Sequence, residues 1–80
     1  MTRDEWRIIF GDNLHDILTS YGMSQNQLAK ESGLSIGTIS DYVNKWTVPN
    51  IPAIINMAYS LDVNVEELTD FGDRIEMEAN

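Results

Sequence analysis

From Trp6 to Tyr21 the apolar residues Trp6, Ile9, Phe10, Leu14, Ile17, Leu18 and Tyr21 recur at helical spacing, which predicts an amphipathic helix of about four turns with one buried stripe. Thr2 and Glu5 have the spacing of a capping box, and Gly22 stands where a left-handed residue closes a helix, so the span is placed at 4–21. Gly11 lies inside that span, at a cost of about 1 kcal/mol against alanine. An interior glycine there predicts a close crossing by another helix, and Gly11→Leu is expected to destabilise strongly.

Beyond Gly22 the pattern shortens, and each new segment opens on a capping residue: Ser24 with Gln27, Ser35 with Thr38, Asn50, and Asn64 with Glu67. Gly33 separates the second and third segments, and Pro49 with Pro52 prevents the third from running into the fourth. The predicted helices are 4–21, 24–31, 35–44, 51–61 and 65–70. Leu14, Leu18, Leu28, Ala29, Leu34, Ile39, Ile54, Ile55, Ala58, Leu61, Val63 and Leu68 are the expected core. Several β-branched residues lie between Ile36 and Val43, but no segment alternates with a period of two between hairpin turns. The fold class read from this pattern is all-α, a compact five-helix domain over residues 1–70 followed by an acidic tail, 71–80, without repeats or low-complexity stretches.

Eighty residues make one small domain with little room for both a core and a deep catalytic cleft. There is no cysteine, hence no disulfide, thiolate nucleophile or cysteine-ligated metal. No run of apolar residues approaches the roughly 20 that span a bilayer, and no signal-peptide pattern is visible, so a soluble cytoplasmic protein is expected. The net charge of −8 opposes general attraction to phosphate or anionic lipid. Its distribution changes that picture. Residues 1–23 carry +2 −4 = −2, residues 24–50 carry +2 −2 = 0, and residues 51–80 carry +1 −7 = −6. The middle of the chain is neutral, and the acid collects in Glu66, Glu67, Asp70, Asp73, Glu76 and Glu78, a pattern that usually marks a solvated face or tail.

In that neutral middle, Ser24 to Glu31, Gly33-Leu34, and Ser35 to Asn44 form two short helices joined by a glycine-containing turn, the arrangement of a helix-turn-helix. Ser24-Gln25-x-x-Leu28-Ala29, Gly33-Leu34-Ser35, Ile39-Ser40-x-Tyr42, Pro49 and Ala58-x-x-Leu61-x-Val63-x-x-x-x-Leu68, together with Phe10-Gly11-Asp12-Asn13-Leu14, resemble the Cro/phage-repressor family of helix-turn-helix DNA-binding domains over residues 10–69. The resemblance implies a lambda-repressor-like five-helix domain whose third helix enters the major groove of double-stranded DNA while the second crosses above it, its N-terminus facing a phosphate. It implies base reading by Ser35, Ile36, Thr38 and Asp41: Ile36 toward a thymine methyl, the two hydroxyls as donors or acceptors, and Asp41 as acceptor from cytosine N4. Gln25, Asn44, Lys45 and Thr47 are the implied phosphate contacts. At the end of the third helix the family usually carries an acidic or polar residue and then glycine, where this chain has Val43 and Lys45, so a different turn is expected. Few cations mean few phosphate contacts and a shallow salt dependence, with a slope near −0.9 per contact.

A regulator with so few contacts is expected to act as a homodimer on an operator, by occlusion or by touching polymerase, without chemistry, cofactor or metal. Trp46, Val48, Ile51 and Phe71 are the candidate dimer or partner surface, Trp46 being equally suited to the core or to an exposed patch. A rival reading follows from the acidity: a helix-turn-helix scaffold that binds a protein, such as another regulator or a toxin, in place of DNA. His15, off the apolar stripe, and the pairs Glu66/Glu67 and Glu76/Glu78 lack partner groups for catalysis and receive no role, while Met57 and Met23 are expected to fill gaps in the core.

Overall fold

The computed structural model describes residues 2–70. Among them the order is α1 (Arg3–Tyr21), α2 (Gln25–Ser32), α3 (Ile36–Val43), α4 (Ile51–Leu61) and α5 (Val65–Thr69). Each helix begins where a polar side chain can satisfy amides that have no partner within the helix. Thr2 Oγ1 accepts from the Glu5 N–H at 3.1 Å and donates to the Glu5 carboxylate at 2.9 Å. Ser24 accepts from the Gln27 N–H, Ser35 from that of Thr38 and Asn50 from that of Ala53. At α5 the Glu67 carboxylate reaches back to the Asn64 N–H at 2.8 Å. Because Ser24 and Ser35 keep extended backbones as caps, α2 and α3 each start one residue after the expected 24 and 35.

All five helices contribute a fully buried side chain to one core: Phe10 and Leu14 from α1, Leu28 from α2, Ile39 from α3, Met57 from α4 and Leu68 from α5. Leu34 and Val63 pack against this core half-buried, as does Met23, and Met57 is the gap filler its chemistry suits. Two expectations are corrected. Ile55 is 52% exposed, because Ala53, Ile54, Met57, Ala58 and Leu61 already occupy the inward stripe of α4, and a third consecutive residue after Ala53 and Ile54 turns out of it. Tyr21, also 52% exposed, is the last residue of α1 and lies past Leu18, where the buried stripe ends.

The placement of α3 depends on α1. Phe10 stacks edge-on against Tyr42 of α3, centroids 5.9 Å apart, and Trp6 tilts onto Phe10 at 5.6 Å. One step on, Gly11 is buried where a Cβ would lie 2.8 Å from the Tyr42 carbonyl oxygen and 2.6 Å from Lys45 Cγ. The glycine therefore marks the close crossing its position predicted, with the C-terminal turn of α3 as the crossing element. On its other side α1 holds α5: the Asn13 side-chain amide donates to the carbonyls of Leu68 at 3.0 Å and Asp70 at 2.8 Å. Helix α2 packs on α3 and α4, which completes the frame around the helix-turn-helix.

Candidate nucleic-acid interface

Helix α3 is amphipathic in a way that leaves one face for a partner. Ile39 and Tyr42 are buried and Val43 is half-buried, so Ile36, Gly37, Ser40, Asp41 and Asn44 fall on the outer side. Of the expected base-reading residues, Ile36 stands 46% exposed in the first turn and Asp41 is half-buried one turn on. Ser35 and Thr38 belong together at the helix start, their hydroxyls 2.8 Å apart, while the Ser35 oxygen also takes the Thr38 N–H. Thr38 thus sits at the margin of the outer face. Ser40 lies nearer its middle and was not among the expected site residues. Its spacing of four from both Ile36 and Asn44 is the signal that places it there. The Asn44 amide donates to its hydroxyl at 3.1 Å, which joins the two into one polar edge.

Helix α2 packs on α3 and begins against α1. Gln25 is its first residue, half-buried, next to the Ser24 cap in a shallow groove that His15, Thr19 and Met23 of the preceding segment also line. Gly33, at φ +77°, closes α2 and turns the chain through Leu34 into the Ser35 cap.

The exit from α3 holds the least expected geometry. Lys45 has φ +66°, so it adopts the left-handed conformation that glycine favours. The Trp46 N–H bonds to the Asp41 carbonyl at 2.9 Å and the Lys45 N–H to that of Tyr42 at 3.1 Å, the paired bonds of a Schellman ending. The expectation of a different turn is therefore corrected: lysine replaces glycine and the left-handed ending remains, at a conformational cost of about 1 kcal/mol. Two contacts from α1 reach this residue, one at its backbone and one at the end of its side chain. The Arg7 guanidinium donates to the Lys45 carbonyl while its other nitrogen pairs with Asp4 at 2.7 Å, and Lys45 Nζ lies 3.0 Å from Asp12 Oδ1. A cation at the carbonyl end of a helix is also electrostatically favoured. Thr47 follows, exposed.

Trp46 is exposed to 68%, which decides the alternatives for it in favour of a surface position. Val48 is half-buried and Ile51 is 72% exposed, and the apolar row continues along α4 through Ile55 to Tyr59, at 89%. Phe71 lies outside the described residues. Burial, and secondarily the neighbouring Asp41 charge, push the Tyr42 hydroxyl above its ordinary pKa, so it stays neutral at physiological pH. Among the described residues no three metal-binding side chains gather, and no helix is long and apolar enough to cross a membrane.

Two short helices joined through a left-handed glycine, the second with an uncovered polar face and held from behind by α1, define a helix-turn-helix DNA-binding transcription regulator. The chain belongs to the helix-turn-helix family, whose profile matches residues 14–68. Among solved structures it is similar to the restriction-modification controller protein C.AhdI from Aeromonas hydrophila, at 28% identity and a TM-score of 0.74, covering 84% of this chain and 98% of that one. Comparison with curated proteins gives no match.

Proposed function

We propose that this regulator binds a two-fold symmetric operator as a homodimer, with α3 in the major groove and the N-terminus of α2 on the DNA backbone. The observation that carries the proposal is the outer face of α3, where Ile36, Gly37 and Asn44 are exposed and Ser40 and Asp41 half-buried, on a helix whose other side is locked into the core. On this reading Ile36 meets a thymine methyl, Ser40 and Thr38 exchange hydrogen bonds with base edges, and Asp41 accepts from a cytosine amino group. Ser35 caps the helix against the same groove. Gln25 donates to a phosphate beside the free amides of α2, and Asn44 and Thr47 serve the backbone at the far end. Gly37 contributes by absence, since a bare Cα lets the helix approach the bases.

The protein acts by occupancy and not by catalysis, excluding or contacting polymerase in the cytoplasm. A control role agrees with the controller protein to which the fold is similar. Dimerisation is assigned to the apolar row that starts at Trp46, Val48 and Ile51 and runs on through Ile55 and Tyr59, because a monomer with so few cations has too little phosphate contact to hold an operator. The test is a contrast of substitutions. Gln25→Ala is expected to weaken DNA binding without changing self-association, and Trp46→Ala to weaken self-association first. Loss of a protein partner with Trp46→Ala, with DNA binding indifferent to Gln25→Ala, would instead support the protein-interaction reading.

A further inference from the structure

Helix α3 has eight residues and is about 12 Å long, close to the roughly 12 Å width of the major groove. On the reading of α3 as the groove helix, a cation just past its end lies beside the backbone contacts assigned to Asn44 and Thr47, and Lys45 occupies that position. Its ammonium is nevertheless turned back onto α1, 3.0 Å from Asp12 Oδ1. The missing Cβ at Gly11 opens the path, since the lysine stem crosses directly over that residue. The backbone of Lys45 is fixed separately, by Arg7 at its carbonyl and by the Schellman bonds, so the ion pair governs where the ammonium goes and not whether the turn forms. Both partners are about one-third exposed, at 39% and 34% of their side chains, and a pair of that kind exchanges readily for another anion.

We propose that Asp12 restrains DNA affinity by holding Lys45 as an internal competitor of the phosphate backbone. Asp12 is a positioning residue that acts through Lys45, and the proposal rests on the reading of α3 as the groove helix. When DNA docks, a phosphate must displace the carboxylate from the Lys45 ammonium. A regulator built this way binds less tightly than its cations allow, and its contact at the end of α3 counts little toward counterion release.

The test compares the wild type, Asp12→Asn, Lys45→Met and the double variant as full chains. Each is titrated by fluorescence anisotropy, over a salt series, against a duplex recovered from a random library or against mixed-sequence duplex if none is recovered. Thermal melts confirm that all four fold. Asp12→Asn is expected to bind about three- to ten-fold more tightly at low salt, with a log–log salt slope steeper by about 0.9, the signature of one added phosphate contact. Lys45→Met is expected to bind no more tightly than the wild type, and the double variant to match Lys45→Met. Weaker or unchanged binding by Asp12→Asn would overturn the proposal. So would a gain that survives in the Lys45→Met background, since it would then be a general effect of removing one negative charge. Failure of every folded protein to bind, the wild type included, would refute the groove-helix reading itself and this proposal with it.

Discussion

Gly11→Ala separates two opposed effects. In an isolated helix the change is favourable by about 1 kcal/mol, because alanine loses less backbone freedom. Here the added Cβ would lie 2.6 Å from Lys45 Cγ and 2.8 Å from the Tyr42 carbonyl oxygen. The lysine stem can swing aside, but the carbonyl belongs to the last turn of α3 and moves only with the helix. Restoring ordinary contact requires α1 and α3 to part by about half an ångström along a seam that also carries Phe10 against Tyr42. Overpacking of this kind costs up to about 3 kcal/mol, which leaves a net loss near 2 kcal/mol. For a domain of this size that lowers the thermal midpoint by about 8–16 °C. Gly11→Leu should lose considerably more. Thermal unfolding followed by circular dichroism reads the effect, and Gly11→Ala/Lys45→Ala should recover only part of it, because the carbonyl clash remains. A midpoint raised by a few degrees in Gly11→Ala would show that propensity governs and that the crossing is not tight.

Further expectations concern other elements. Asp62 closes α4 at φ +56° with a negative charge at the carbonyl end of the helix, so Asp62→Gly should relieve both penalties and stabilise by about 1 kcal/mol in denaturant titration. Tyr42 titrates in the unfolded chain near pH 10 but higher in the folded one, so unfolding releases protons and stability falls as pH rises through that range. Tyr42→Phe, which keeps the ring contact with Phe10, should reduce this alkaline loss, as measured by unfolding at a series of pH values. Ile55→Lys, on the exposed side of α4, should leave the melting of the monomer nearly unchanged while shifting sedimentation toward the monomer.

Much of this architecture is legible in the sequence because it is written locally. A polar cap, a helical apolar stripe and a left-handed glycine each act within a few residues, so Thr2, Ser24, Ser35, Asn50 and Asn64 mark the starts, and the span 51–61 of α4 follows directly. Local reasoning fails where two neighbours satisfy the same pattern. Ile54 and Ile55 both fit an apolar stripe, and only the packing against α2 and α5 selects Ile54. It also fails where a conformation is held from a distance. Nothing near Lys45 announces a left-handed lysine, because Arg7 and Asp12, remote in sequence, hold its two ends. The exposure of Trp46 likewise depends on the packing of the whole core, which its neighbours in sequence do not announce. Asp62 is an intermediate case, since aspartate tolerates the left-handed region better than most residues, and its place after an apolar helix is a usable signal.

The arrangement relates the acidity of the chain to its function. The cluster Glu66, Glu67 and Asp70 belongs to α5 and its end, whereas the outer face of α3 carries one acid, Asp41, and otherwise neutral groups. Hydrogen bonding and apolar contact therefore have to supply what counterion release does not, and doubling the interface by symmetry is the economical route to affinity.

The central claim is that the outer face of α3 reads DNA sequence. The most direct test is selection of bound sites from a random duplex library at low salt, followed by anisotropy of the recovered site and of the same site shuffled. The account predicts an enriched two-fold symmetric sequence, half-sites about one helical turn apart, bound far better than its shuffled form. No enrichment and no low-salt binding by protein shown to be folded would contradict it.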